Sequence, residues 1–371
     1  MVLVACLAVL PGCASESEAA PQVGSEGPIV KGGDDRTGEY DAVEGWWKPA
    51  ADHEGPWTWG QVSGVAADTP DRILVVIWGD RDAQGRERPG GSNYLVAVDR
   101  DGNITENWAQ WDSIFNKPHQ VYISPYDPDR HVWVVERGGG ANDIHEQVIK
   151  FTNDGKEIAL RLLDPNPRQS GEEARANTSP GPLDFGQASV MTFLPNGDFL
   201  IGDGYQNGRI ARYNAEGELV SEFGSVGDGP GQFDLVHGVA VDRNSRVYVG
   251  DRTNNRIQVF TEDGEFIEEW PDVSDPVGIF IDENEAVWVI SAALNRILKY
   301  NTDGELQYYM GAFGGTRGGF PGGLSRPHQM DVDSEGNLYI ASWDGGWMNK
   351  FVPKPGADPS KLVGKGLVLS N

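Results

Sequence analysis

Short segments of alternating apolar and polar residues run through the chain, and they repeat. From Val236 the segments are VHGVAVD, RVYVGD, RIQVF and FIEEW, and from Pro276 they recur as PVGIFID, AVWVIS, RILKYN and LQYYMG. The turns TEDGE and TDGE stand at the same place in both units, and glycine accepts the positive φ of a tight hairpin turn. Each unit is therefore predicted to consist of four short antiparallel β-strands.

The first segment of this unit has four further copies. They are VSGVAAD, PHQVYIS, ASVMTFL and PHQMDVD, and the two closest copies lie 40 residues apart, at His237 and Val277. Repetition of a four-stranded unit of about 40 residues is the signature of a β-propeller. The units resemble NHL repeats, and we predict an all-β chain with one six-bladed β-propeller over residues 46–371. The stretch LVGKGLVLS near the C-terminus is expected to supply the fourth strand of blade six.

Three histidines occupy one position in alternate units. The equivalent residues, from the first unit to the sixth, are Ser63, His119, Ala188, His237, Val277 and His328. The inner strand of each blade lines the central channel, and alternate blades of six are related by about 120 degrees. The three imidazoles are therefore predicted to converge on the axis. Three neutral imidazoles with open positions between them form a catalytic metal site, for Zn²⁺ or another divalent metal.

Two further side chains are predicted at the mouth of the channel. The second strands of units three and four lead into DGYQNGRI and DRTNNRIQVF, which place Tyr205 and Arg252 beside the axis. Arg252 is not part of the repeat, since unit five has Ala292 there. A phenol near a dication loses its proton more easily and can act as a base, and a guanidinium binds a carboxylate through two hydrogen bonds. Both residues are therefore candidates for catalysis.

The charge of the chain excludes one class of partner. The 371 residues have a formal net charge of −26. A phosphate backbone would be repelled by such a surface, so no nucleic-acid partner is expected. We expect a monomer that binds a small molecule or the C-terminus of a peptide.

The segment MVLVACLAVLPGCASESEAAP at the N-terminus is similar to a bacterial lipoprotein signal. Its apolar run is too short to span a bilayer, and LPGC resembles a lipobox with a lipid on Cys13. The second cysteine, Cys6, lies inside the signal, so no disulfide is expected in the mature protein. We expect a signal over residues 1–13 and a flexible tether over residues 14–45. The protein is then exported, periplasmic or at the cell surface, and touches the membrane only through its lipid anchor.

The three axial histidines, DGYQNGRI and DRTNNRIQVF together resemble the peptidyl-α-hydroxyglycine α-amidating lyase family. The resemblance implies a six-bladed fold and a zinc ion held by His119, His237 and His328. It also implies a catalytic Tyr205, an essential Arg252 and a structural calcium ion. The implied reaction cleaves the N–Cα bond of a C-terminal α-hydroxyglycine and releases an amide and glyoxylate.

The chain departs from this family at three positions. An arginine of the family at the end of the second strand of blade one is Trp78 here, and Arg81 or Arg137 is expected to supply the missing cation. A methionine two residues before the last histidine is Arg326, which we expect to help hold the substrate carboxylate. The acidic calcium ligand after that histidine is Gln329, so calcium binding stays open.

Two other functions fit the same residues. One is a different divalent-metal-dependent lyase or hydrolase that acts on a small carboxylate or hydroxy compound, because Trp78 and Arg326 alter the site. The other is a non-enzymatic NHL propeller that serves as a binding module. Bound metal would distinguish the enzymes from the binding module, and glyoxylate release would distinguish the two enzymes.

Overall fold

A computed structural model describes residues 36–90, 92–138, 145–165, 180–315 and 320–370. Within these residues six four-stranded antiparallel sheets form a six-bladed β-propeller, as predicted. The predicted signal and the predicted tether as far as residue 35 lie outside the described residues. In the part of the chain that the structure describes, no helix is long and apolar enough to cross a membrane.

The strands of each blade are given from the channel outwards. Blade one comprises Val62–Thr69, Arg72–Ile77, Leu95–Val98 and Ile104–Asn107, and blade two Pro118–Ile123, Val132–Glu136, Gln147–Phe151 and Ile158–Leu163. Blade three comprises Val190–Phe193, Phe199–Asp203, Arg209–Tyr213 and Leu219–Phe223, and blade four Val236–Val241, Val247–Asp251, Arg256–Phe260 and Phe266–Trp270. Blade five comprises Pro276–Ile281, Val287–Ser291, Arg296–Tyr300 and Leu306–Met310, and blade six Pro327–Val332, Leu338–Ser342, Trp347–Pro353 and Tyr40–Ala42.

A few short elements lie outside the blades. Thr58–Trp59 pairs with Asp80–Arg81, and Ser225–Val226 pairs in parallel with Gln232–Phe233. Two 3-10 helices span Ala109–Ile114 and Pro359–Lys361.

The hydrophobic core is a ring of six clusters, one at each interface between neighbouring blades. The second strand of a blade packs on both of its faces, so Val132–Glu136 and its counterparts are buried throughout. Trp46 and Trp47 fill the interface between blades six and one, where Trp46 packs against Tyr339. Burial of such a side chain contributes about 1.5–3 kcal/mol. The blades are therefore held by packing around an axis that remains free for polar groups.

The ring closes through a strand that the sequence analysis did not predict. Tyr40–Ala42 pairs antiparallel with Trp347–Pro353 and is the outer strand of blade six, whereas the sequence predicts a flexible tether at these residues. The prediction that LVGKGLVLS forms this strand is wrong. That tail instead crosses the end of the channel where the inner strands finish. The Leu367 N–H donates to the Ile281 carbonyl and the Leu369 N–H donates to the Tyr126 hydroxyl.

Candidate metal centre

β-Bulges direct the axial side chains into the channel. In blades two, four and six the register of the inner strand shifts across one residue, which is His119, His237 or His328. Ser63 and Val277 stand in the same bulge in blades one and five. A bulge adds an unpaired residue and turns its side chain out of the regular alternation. The bulge therefore explains why one position faces the axis in each of these five blades; the inner strand of blade three, Val190–Phe193, pairs without a bulge.

Each imidazole is held by a carbonyl group of the next blade. The pairs, with their Nδ1–O distances, are His119 with Ser189 at 2.6 Å, His237 with Val277 at 2.8 Å and His328 with Ser63 at 2.6 Å. A carbonyl oxygen only accepts, so Nδ1 donates the proton in all three rings. The Nε2 atoms keep their lone pairs, as in the histidine ligands of metal sites whose other nitrogen is hydrogen-bonded to a carbonyl.

The three imidazoles converge on the axis, and this confirms the predicted arrangement. Their ring centroids lie 4.7, 4.8 and 4.9 Å apart, and one ligand atom from each ring lies within 4.8 Å of the others. Burial lowers the pKa of His119 and of His237 well below the usual value, and it lowers the pKa of His328 to about 3. The rings are therefore neutral near pH 7, which is the form that binds a metal ion.

The Tyr205 hydroxyl contacts two of these nitrogens. Its oxygen lies 3.1 Å from His119 Nε2 and 3.0 Å from His237 Nε2. One phenol proton can satisfy only one of the two lone pairs. Among the described residues, no hydrogen bond reaches the Nε2 atom of His328. The three inward Nε2 atoms have more lone pairs than there are hydrogen-bond donors to satisfy them, and such a set fits a divalent cation such as Zn²⁺. His119, His237 and His328 are the residues that would hold it.

A buried carboxylate holds the loop that presents Tyr205. Asp203 ends the second strand of blade three, and its Oδ1 accepts a hydrogen bond of 2.5 Å from the Gly186 N–H. Its Oδ2 accepts from Asn207 Nδ2 at 2.6 Å and from Arg209 Nε at 2.9 Å. Tyr205 lies between these partners in the chain. The position of the phenol is therefore set by the hydrogen bonds of the Asp203 carboxylate to the loop on either side of Tyr205.

The three predicted arginines lie around Tyr205. The guanidinium carbon of Arg137 is 3.9 Å from the centroid of the tyrosine ring. Arg252 donates from Nε to Asp275 Oδ1 at 2.6 Å. Burial raises the pKa of Tyr205, and the positive charges of Arg137, Arg252 and Arg326 oppose this effect without reversing it. The site thus combines a protonated phenol with a set of cations.

The structure distinguishes the two candidates for the cation that blade one lacks. Arg81 donates to the Gly85 carbonyl at 3.1 Å and to the Glu87 carboxylate at 2.9 Å, within its own loop. Arg137 donates to the neutral Gln187 side chain at 2.9 Å, and no carboxylate within the described residues forms an ion pair with it. Arg137 rather than Arg81 therefore stands beside the phenol.

Arg326 stands at the mouth of the channel in an unusual backbone conformation. It is exposed and has a φ of 49°, in the left-handed region that few side chains adopt. The N–H of Arg326 donates to Asn295 Oδ1 at 2.8 Å, and its carbonyl accepts from the Trp343 N–H at 3.0 Å. Gln187 and Asp275, whose carbonyls accept from the rim residues of blades three and five, also have a positive φ, so this conformation belongs to the repeat.

Six residues, one from each blade, form the rim of the channel; five directly follow the second strand of their blade, and Tyr205 lies one residue further on. Each rim residue donates its backbone N–H to a carbonyl group one or two residues before the axial position of the same blade. In blade order the rim residues are Trp78, Arg137, Tyr205, Arg252, Ala292 and Trp343, with N–O distances of 2.9, 3.2, 3.5, 2.8, 3.2 and 3.0 Å. Five of them are singled out from the sequence above, and Trp343 is not. The same alignment would have found it, because Trp343 directly follows the strand Leu338–Ser342.

The residues next to His328 do not fit a calcium ion bound by residue 329. The Gln329 amide accepts from Val65 N–H at 3.1 Å and from Val121 N–H at 3.3 Å, and its Nε2 donates to the Val121 carbonyl at 2.9 Å. A calcium ion at this position would need the lone pair of the Val121 carbonyl oxygen, to which Gln329 Nε2 already donates. A Cβ atom on Gly64 would lie 2.6 Å from Gln329 Oε1, so the glycine makes room for the amide. Gln329 therefore links blades one, two and six through its own amide.

Fold and site together define a six-bladed propeller with a three-histidine centre on its axis. The NHL repeat model matches residues 233–260, which lie mainly in blade four. The chain is 25% identical over 347 residues to "Peptidyl-alpha-hydroxyglycine alpha-amidating lyase 1" of Drosophila melanogaster, covering 82% of this chain and 59% of that protein. The resemblance to amidating lyases is thus confirmed as a distant similarity.

Two other comparisons describe the fold and its repeats. "NHL repeat-containing protein 3" of Homo sapiens is 29% identical over 163 residues, covering 43% of this chain and 44% of that protein. The chain therefore spans less than two thirds of the length of either relative. The crystal structure of virginiamycin B lyase from Staphylococcus aureus superposes with a TM-score of 0.51 at 19% identity, covering 84% of this chain and 85% of that one. That likeness confirms the propeller fold.

Proposed function

We propose that this protein is a divalent-metal-dependent carbon–nitrogen lyase that converts an α-hydroxyglycine-type substrate into an amide and glyoxylate. The observation that carries the proposal is the contact of the Tyr205 hydroxyl with Nε2 of both His119 and His237. It places an acid–base group where the imidazole lone pairs meet. The similarity to the fly lyase supports the same reaction class.

Each part of the site has a role in this reaction. His119, His237 and His328 would hold the cation through Nε2, and a bound divalent cation supplies Lewis acidity that favours loss of a hydroxyl proton. The guanidinium groups at the rim bind the substrate carboxylate. With the divalent cation bound, the Tyr205 phenol would be ionised and would receive the proton from the carbinol oxygen.

The bond changes balance without another reactant. As the carbinol oxygen loses its proton, its C–O bond becomes the aldehyde C=O of glyoxylate. The electron pair of the N–Cα bond leaves with the amide nitrogen, and that nitrogen takes up the proton. Tyr205 is the residue in the described part of the site that contacts the axial nitrogens and can move this proton.

A metal measurement combined with a product assay tests the proposal. We expect the purified protein to contain one equivalent of a divalent metal and to release glyoxylate from α-hydroxyhippurate. His237→Ala should lose both properties. His145→Ala is the matched control, because His145 Nδ1 donates to the Asp164 carbonyl at 2.8 Å and is not an axial residue, so this variant should keep both.

Two outcomes would overturn the proposal in different ways. Protein that contains metal but releases no glyoxylate would be a different metal-dependent lyase or hydrolase. Metal-free, inactive protein would be a binding module, a second candidate that the similarity to the human NHL repeat protein favours.

A further inference from the structure

The rim of the channel is divided into two chemically different parts. Arg137, Tyr205 and Arg252 follow one another in blades two, three and four, and we call them the cationic sector. Trp343 and Trp78 stand at the same backbone position in blades six and one, and we call them the aromatic sector. In a ring of six, blades three and four lie opposite blades six and one. Tyr205 and Arg252 therefore face the aromatic sector across the axis, whereas Arg137 adjoins it, with its guanidinium carbon 6.0 Å from the Trp78 ring centroid.

The two tryptophans of the aromatic sector pack on each other and on the metal centre. Their ring centroids are 4.3 Å apart with an interplanar angle of 79°, the edge-to-face geometry that aromatic pairs prefer. The Trp343 ring lies 5.1 Å from the His328 ring at an angle of 31°. The sector is thus in direct contact with one of the three axial histidines.

The accessible aromatic surface belongs to Trp343. Trp78 is only 8% exposed, and two cations already stand over it, with Lys117 Nζ 5.4 Å and the Arg137 guanidinium carbon 6.0 Å from its ring centroid. Trp343 remains partly exposed. The buried Nε1–H of Trp78 has no partner within the described residues, so a ligand oxygen that reaches this sector would satisfy a free donor.

An N-acyl-α-hydroxyglycine has two unlike ends on either side of its reacting carbon. One end is a carboxylate, and the other is an amide that carries the acyl group. If the carboxylate lies in the cationic sector, the acyl group extends over the axis towards the opposite wall. Resting on the proposed function, we propose that the aromatic sector binds the acyl group. The substrates are then N-acyl-α-hydroxyglycines whose acyl group carries an aromatic ring next to the amide.

Comparison of two substrates with different acyl groups tests this assignment. We expect kcat/KM for N-benzoyl-α-hydroxyglycine to exceed that for N-acetyl-α-hydroxyglycine by about tenfold or more, since an apolar contact of this size discriminates on that scale. Trp343→Ala should bring the ratio close to one, and Trp343→Phe should restore part of it. A general disturbance of His328 would lower both values equally, so the ratio isolates the contact with the acyl group.

Trp111→Ala is the control for loss of a tryptophan. Trp111 lies in the 3-10 helix Ala109–Ile114 and donates from Nε1 to the Gly155 carbonyl at 2.7 Å, outside the rim. This variant should keep the substrate ratio of the original protein. An unchanged ratio in Trp343→Ala, or a ratio near one in the original protein, would overturn the inference while leaving the lyase proposal intact.

Binding of unreactive analogues keeps the two proposals separate. Calorimetry should show that N-benzoylglycine binds more tightly than N-acetylglycine and that Trp343→Ala removes the difference. If neither hydroxyglycine releases glyoxylate, the lyase proposal fails. In that case the two acylglycines still test whether the aromatic sector binds the acyl group, because equal binding of the two would refute this inference.

Discussion

Replacement of Gln329 by methionine tests whether one side chain stabilises the inner ring of strands. Methionine keeps the length of the side chain and removes both amide atoms. The change leaves the Val65 N–H, the Val121 N–H and the Val121 carbonyl without their partner. These groups belong to the inner edges of blades one and two, which face the axis and pair with no further strand.

The expected loss follows from these three groups. A buried backbone group left unpaired costs about 1–3 kcal/mol. The channel next to Gln329 contains a cavity of about 310 Å³, so water entering it recovers part of that cost. We therefore expect a loss of about 3 kcal/mol in the free energy of unfolding. The entropy of unfolding is roughly 0.7 kcal/mol/K for a propeller of this size, so the melting temperature should fall by about 4 °C.

Thermal unfolding followed by circular dichroism measures this shift. Gln120→Met is the matched control, because Gln120 also follows an axial histidine but its side-chain oxygen accepts, among the described residues, from the Tyr122 hydroxyl alone. Loss of that single bond should lower the melting temperature by about 1–2 °C. A Gln329→Met protein that melts within 1 °C of the original would refute the role of this amide as a link between blades.

Two further predictions concern the phenol and the acid stability. Tyr205→Phe should keep its bound metal but lose about 100-fold or more in glyoxylate release, since it removes the acid–base group and no metal ligand; unchanged turnover would exclude Tyr205 from the reaction. Burial alone would raise the pKa of Asp80, but hydrogen bonds from His53 and Ser92 outweigh it and lower the pKa. The stability that Asp80 contributes is therefore present above about pH 4 and lost as the pH falls through the lowered pKa. The difference in melting temperature between the original protein and Asp80→Asn should shrink from pH 6 to pH 3, and a constant difference would contradict this account.

Much of the fold could be predicted from the sequence because its signals are local and repeated. Alternation within each segment identifies strands, and glycine turns separate them, so the unit and its six copies follow without any knowledge of contacts. The alignment of the copies then places His119, His237 and His328 in one axial position. Their convergence follows from the symmetry of the ring, and the structure confirms it.

The closure of the ring could not be predicted in this way. Tyr40–Ala42 is a three-residue strand whose partner, Trp347–Pro353, lies at the other end of the chain. So short a segment carries almost no alternation signal, whereas LVGKGLVLS carries a stronger one and forms no blade strand. Geometry decides which segment pairs here. The third strand of blade six has an open outer edge, and Tyr40–Ala42 is the segment that reaches it.

The sequence by itself determined the repeat, the number of blades and the three axial histidines, because these depend on spacing within units. Only the tertiary structure decided how the units act on one another. It showed that Arg137 rather than Arg81 lies beside Tyr205 and that the Gln329 amide links three blades. It also brought Trp343 against Trp78. Such contacts join residues far apart in the chain, and closure of the ring is what places them together.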